Sequence, residues 1–240
     1  MRSSRQAFTL IEMLVVIGII AILSTGISML NMKDSAQPMY SANRTMMAAF
    51  HEARTNAIKR QTPSRVIIYR GDDLSRKLRQ VGVIYKVKGN DDEVKGWVAL
   101  NRGIMLPEGV FFVPPQGDFS TMVKLQNGLS DSDVFKSTFN NGYTGVFNRV
   151  GLSEFPSATP LSVSEGNGDW YSYEFSSDGL SMNPGAYIML VAGNLDSKGV
   201  LLVDNAFSQM GFVVRRIGNT IPFTDYGEME ETIKEYENTF

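Results

Sequence analysis

The sequence predicts an α+β protein: a long N-terminal hydrophobic helix, kinked near Pro38, packed on an antiparallel β-sheet head. Three observations predict it. An almost unbroken apolar run extends from Phe8 to Leu30. A helical apolar period then continues to about residue 60. Beyond residue 62 the pattern changes to short apolar runs separated by Gly, Pro, Asn and Asp. The length, 240 residues, allows one large domain or two small ones.

The first seven residues are polar, with Arg2 and Arg5 and no acid. As a helix, residues 8–30 would reach roughly 35 Å, enough to cross a hydrocarbon core. Basic residues before the run place the N-terminus on the cytoplasmic side and the rest of the chain beyond the membrane. Glu12 interrupts the apolar character. A carboxylate at the helix centre costs about 2.5–3.5 kcal/mol on insertion scales, less nearer an end, and usually has a partner. A cut before Phe8 would create an α-amine four residues from Glu12, able to neutralise it on this chain or a neighbour.

Residues 31–61 read as an amphipathic stalk helix. Met46, Ala49, Phe50, Ala53, Ala57 and Ile58 recur near the helical period, with Arg44, Glu52, Lys59 and Arg60 largely between them. Asp34-Ser35 followed by Pro38 predicts a break, because Pro removes a backbone donor and crowds the preceding turn. Two pieces are therefore expected, 8–33 and 39–60. In the head, strands are expected at 65–70, 81–87, 96–100, 110–113, 170–175, 186–192, 200–203 and 212–215. Turns are expected at Gly89–Asp92, Asn140–Gly142, Ser177–Gly179 and Asn183–Gly185.

Ala7-Phe8-Thr9-Leu10-Ile11-Glu12 before a long apolar helix resembles the type III signal of type IV pilins and type II secretion pseudopilins. The resemblance implies cleavage by a prepilin peptidase between Ala7 and Phe8, with N-methylation of Phe8. It also implies Glu12 as the carboxylate that docks subunits into a filament. The family normally has Gly where Ala7 stands. A Sec signal peptide and a plain signal anchor are the alternatives. Glu12 within the apolar stretch speaks against the former.

Residues 50–61, FHEARTNAIKRQ, resemble the end of the N-terminal helix in H-type minor pseudopilins, where a strand follows directly. Leu106–Val110 resembles a strand entry of that group. Tyr173–Gly179, Tyr187–Val191 and Val200–Val203 resemble its C-terminal hairpins. The implied organisation is a leader at 1–7, a transmembrane and filament-core helix at 8–30, a stalk at 31–61, and a periplasmic pilin-like head at 62–240 with an acidic tail at 225–240. The implied protein is a structural subunit and not an enzyme. Its partners are the prepilin peptidase, other pilin or pseudopilin subunits and the inner membrane, and it has no cofactor and no metal. Residues 115–168 match no family pattern and read as an insertion with long loops.

Composition narrows the chemistry. There are 23 basic and 25 acidic residues, no Cys and one His. A near-neutral balance speaks against a general nucleic-acid binder. Without Cys there is no disulfide framework and no thiol nucleophile. His51 reads as a helix-surface residue rather than a catalytic base or pH sensor. No P-loop is present, and Gly166-x-Gly168 lacks its third glycine because Tyr171 stands there. Asp131-Ser132-Asp133 starts like a calcium loop, but Phe135 and Lys136 replace the oxygen ligand and turn glycine. Asn194, Asp196 and Asp204 could supply oxygen ligands, and ordinary turn roles are the simpler reading.

Charge is uneven along the chain. Lys33 to Arg79 carries ten basic and four acidic residues. Asp225 to Phe240 carries six acidic residues and Lys234. A solvated stalk and a frayed tail would explain this, and so would docking of the tail on the basic stalk of its own or the next subunit. Arg215-Arg216 resembles basic residues of DNA-capturing minor pilins, and DNA uptake is the alternative function.

Overall fold

The computed structural model describes residues 13, 15–17, 36–88, 94–129, 147–183, 186–203, 209–224, 227–228 and 231. The chain falls into two units, Met1–Ser35 and Ala36–Phe240. In the first, Met13, Val15, Val16 and Ile17 are helical and exposed. The rest of the expected 8–33 helix lies outside the described residues. Among the described residues no helix is long and apolar enough to cross a membrane.

The second unit opens with helix α1 (Ala36–Arg60). It begins three residues before the expected start, with Pro38 inside its first turn. Proline is tolerated there because the first N–H groups of a helix have no intrahelical acceptor. One face is deeply buried: Met39, Ala42, Met46, Ala49, Phe50, Ala53 and Ala57. Small residues at four of these positions let the backbone approach the strands beneath. The helix ends in a Schellman arrangement. Gln61 takes a left-handed φ of 52°. Its N–H donates to Ile58 O at 3.3 Å, and the Thr62 N–H donates to Ala57 O at 3.3 Å. Lys59 and Arg60 sit in the last turn, where cations complement the helix dipole.

Among the described residues, three sheets form the head. The largest runs β3-β2-β1-β9-β7-β8, with β4 also on β2, and all its pairings are antiparallel. Its strands are β1 (Ser64–Tyr69), β2 (Gln80–Lys88), β3 (Val94–Ala99), β4 (Ile104–Met105), β7 (Asn148–Leu152), β8 (Val163–Glu165) and β9 (Trp170–Phe175). A second antiparallel sheet orders β14 (Thr220–Phe223), β13 (Gln209–Val214), β10 (Ala186–Ala192) and β5 (Val110–Phe112). The third orders β11 (Asn194–Leu195), β12 (Leu201–Val203) and β6 (Val123–Leu125), with β12 and β6 parallel. A short helix, α2 (Gln116–Met122), leads into β6.

Helix α1 lies against β1, β2 and β9 of the first sheet and β5, β10, β13 and β14 of the second. Phe50 joins the two. Its ring centroid lies 5.1 Å from Tyr173 and 6.1 Å from Phe175 on one side, and 5.1 Å from Phe212 on the other. The opposite face of the first sheet has a smaller core of Ile67, Tyr69, Ile84, Trp97, Val150 and Trp170. Phe155 covers it, 5.0 Å from Trp170. Its ring lies against Gly82, where a Cβ would collide with it.

One expectation is corrected. Tyr173–Gly179 and Tyr187–Val191 do not form a hairpin, because β9 pairs with β1 and β7 while β10 pairs with β13 and β5. In the region 115–168, α2, β6, β7 and β8 are joined by irregular segments, and 130–146 lie outside the described residues. The expected turns at 89–92 and 140–142 lie outside the described residues.

Candidate assembly interface

The residues expected to direct processing and docking, Ala7, Phe8 and Glu12, lie outside the described residues. The described helix that follows them in sequence is α1. Tyr40, Arg44, Met47, His51, Arg54 and Ile58 follow one another at alternating steps of four and three residues. That spacing puts them in one stripe along a helix. Tyr40 and Ile58 are 49% and 45% exposed. Arg44 and His51 are exposed, and Met47 and Arg54 half-buried. The stripe thus mixes three apolar or aromatic residues with three nitrogen-bearing ones. Glu52, off the stripe, is the one acid of α1 and accepts a hydrogen bond from Asn101 Nδ2 at 2.9 Å.

The far end of the stripe is built by two close turns. A Cβ on Gly179 (φ 75°) would lie 2.6 Å from Ile58 Cδ1. A Cβ on Gly218 (φ 79°) would lie 2.7 Å from Arg54 Cδ and would also meet the Gly179 carbonyl. Glycine is required at both on space and on backbone conformation. Arg54 Nε donates to Gly179 O at 3.3 Å, fixing this junction. Exposed Leu180 and Ile217 flank it, so an apolar shelf continues from Ile58. Arg215 is half-buried and Arg216 exposed beside it.

A buried polar cluster lies behind the helix α2 connection. The Asp118 carboxylate accepts from Tyr171 Oη at 2.5 Å and from Arg149 Nη2, and Arg70 Nε stands 3.5 Å away. Burial first, and then the bond to Asp118, push the Tyr171 phenol well above its ordinary pKa. A phenol held protonated this firmly is a hydrogen-bond donor and not a base. The cluster ties α2 to β7, β9 and the residue just after β1. The signal was absent from any local motif, because its members are far apart in sequence. On the outer face of the first sheet, Arg65 lies 4.3 Å over Trp97 and pairs with Glu165 at 2.6 Å and Glu174 at 2.5 Å.

Among the described residues no group of three or more His, Cys, Asp or Glu stands together as metal ligands would. Asp196 is a turn former. Its Oδ1 accepts from the backbone N–H of Lys198 at 2.8 Å and Val200 at 2.9 Å, the latter bond leading in holding its carboxyl below the ordinary value. Asn194 lies in β11. Asp131, Asp133 and Asp204 lie outside the described residues. His51 is exposed on α1.

Comparison with known proteins bears on the N-terminal segment. Residues 2–28 match the family model of the prokaryotic N-terminal methylation motif. The chain carries a prepilin-type signal, consistent with a type IV pilin-like or pseudopilin protein. Neither curated proteins nor solved structures gave a match. The motif spans Ala7, Phe8 and Glu12, and it ends before α1 begins. It suggests prepilin peptidase processing, membrane anchoring and a structural role.

Proposed function

We propose that this chain is a structural minor pilin or pseudopilin of the H-like kind, built into a type II secretion pseudopilus or a type IV pilus. The observation that carries the reading is the methylation motif at residues 2–28 in front of a helix-on-sheet head. A prepilin peptidase removes residues 1–7 and methylates Phe8. The apolar helix then passes from the inner membrane into the filament core, with the head periplasmic. Glu12 pairs there with the Phe8 amine of a neighbouring subunit, since a carboxylate in an apolar bundle needs a cation. Motion comes from a separate ATPase, because the sequence holds no nucleotide motif.

The test is the intact mass of the protein from membranes with and without the peptidase. Loss of residues 1–7 together with one added methyl is expected. A cut after residue 24 or later would replace the filament reading with an ordinary secreted protein. Glu12→Ala should still be cleaved but fail to enter filaments. Normal incorporation of that variant would refute the pairing.

A further inference from the structure

Two turns beside the end of α1 present apolar tips to solvent. Among the described residues of the second unit, eight large hydrophobic side chains are exposed. Four of them fall here: Ile58, Leu180, Met182 and Ile217, at 45%, 42%, 56% and 57%. The Ser181 N–H donates to Arg216 O at 3.0 Å, so residues 180–182 run alongside residues 215–218. Ser181 also bridges to Phe175, and its buried side chain meets Tyr173 Oη. Side chains alternate along an extended chain, so Leu180 and Met182 face the other way, outward. The Gly218 N–H donates to Arg215 O at 2.8 Å, which closes a turn with Arg216 and Ile217 at its two corners. Gly179 and Gly218 pack on Ile58 and Arg54, so the turns cover the sides of the helix end and carry their own tips beyond it.

The surroundings are cationic. Arg216 is exposed, Arg215 is half-buried, and Lys59 is exposed in the last turn of α1. None of the three has an ion pair among the described residues. Arg54 is held by the Gly179 carbonyl, and Arg60 by Asn56 and the Tyr85 ring. Asp178 is the one acid in residues 176–182 and 215–219. Glu174, at the end of β9, is held by Arg65. The apolar side chains stand on turn corners and not on the walls of a groove, so they suit a surface that they can enter. At a bilayer, such side chains sink to the boundary between headgroups and acyl chains. Free guanidiniums beside them take phosphate oxygens in pairs. An anionic leaflet adds an attraction for basic residues that fades within a Debye length.

We propose that residues 180–182 and 215–218 dock on an anionic phospholipid surface. Leu180, Met182 and Ile217 enter the headgroup boundary, and Arg215 and Arg216 bind lipid phosphates. The left-handed glycines Gly179 and Gly218 lock the two turns on the helix end, so the tips are already ordered before they meet lipid. For a membrane-anchored subunit this face is a second, salt-sensitive hold on the bilayer besides the apolar N-terminal segment; that consequence, unlike the lipid contact itself, rests on the subunit reading.

The chain has no Cys, so one engineered thiol can carry a fluorophore. Asn219→Cys places it beside the turn corners. Asp72→Cys places it at the other end of the first sheet, because β1 runs from Ser64 beside Phe175 to Tyr69 beside Trp170. Both positions are exposed. The full-length protein is combined with vesicles of phosphatidylcholine, pure or with one quarter phosphatidylglycerol, and quenching by neutral acrylamide is read. Phosphatidylglycerol should protect the label at 219 severalfold and leave the label at 72 unchanged. High salt should remove the protection. Arg216→Glu combined with Ile217→Ser changes two exposed corners, and should remove the protection at unchanged Tm. Equal quenching at 219 in the two lipids, or protection that survives the double variant, would overturn the proposal. Protection that grows with the protein-to-lipid ratio in pure phosphatidylcholine would assign the face to a protein partner and overturn it as well. A chain that stays out of pure phosphatidylcholine vesicles would count against the N-terminal anchor, and the phosphatidylglycerol effect at 219 would still decide the face.

Discussion

Replacing Phe50 by Ala should separate the two sheets that α1 joins. Phe50 is fully buried. Its ring meets Tyr173 and Phe212 at 5.1 Å and Phe175 at 6.1 Å. Phe→Ala in a core costs about 3–5 kcal/mol, and the value depends on how far the walls can collapse. Here the walls are two differently oriented sheets and a helix, so collapse onto one wall opens another. The upper part of the range, about 4–5 kcal/mol, is therefore expected. Domains are stable by about 5–15 kcal/mol, so about a quarter or more of the margin goes. At about 2–4 °C per kcal/mol for this size, Tm should fall by roughly 8–20 °C. Urea unfolding followed by Trp fluorescence is a suitable assay, because Trp97 and Trp170 lie in the smaller core across the first sheet. Phe50→Leu keeps most of the volume and should cost under about 1.5 kcal/mol. A loss below about 1 kcal/mol for Phe50→Ala, or an equal loss for both variants, would refute the view that this ring joins the sheets.

Three further outcomes follow from the geometry. Asp118→Ala leaves the Arg70 and Arg149 guanidiniums without their carboxylate and Tyr171 with only the weak Met122 Sδ acceptor at 3.3 Å. It should cost about 3 kcal/mol in a denaturant titration, the lower end for a broken buried pair because Arg149 is 42% exposed. Tyr171 binds its proton more tightly folded than unfolded, so its contribution is complete below its ordinary value of 10.0 and is lost as pH rises above it. Tyr171→Phe should flatten the alkaline loss of stability above pH 10, and an unchanged slope there would count against that role. Gly218→Ala (φ 79°, Cβ against Arg54) should cost clearly more in Tm than Gly128→Ala, which has φ 75° but open space around its Cβ.

Strand positions were legible where the local pattern was strong. Residues 170–175 and 186–192 are strands with the expected bounds, since each is a dense aromatic or aliphatic run between turn residues. Their partners were not legible. Neighbouring strands usually pair, but after β9 the chain turns at Gly179 against the end of α1, and β10 belongs to another sheet. The deciding feature is the contact of Gly179 with Ile58, across more than a hundred residues of sequence. The Asp118 cluster was hidden for the same reason: α2 brings a carboxylate to Tyr171 and Arg149 from another part of the chain. Pro38 located the start of the second helical piece to within three residues, since proline is tolerated in a first turn; the expected break before it lies outside the described residues.

The stalk helix shows why a buried face and a functional face need different readings. Its apolar period was legible because burial in a core selects one residue class at regular spacing. Ile58 fits that period, yet it is 45% exposed and belongs with Tyr40, Arg44, Met47, His51 and Arg54. A mixed stripe gives no hydrophobic signal strong enough to stand alone. Its apolar members are too few to drive burial, and its cations keep it soluble. Such a face suits a contact that must be reversible: apolar enough to hold a partner, polar enough to survive without one.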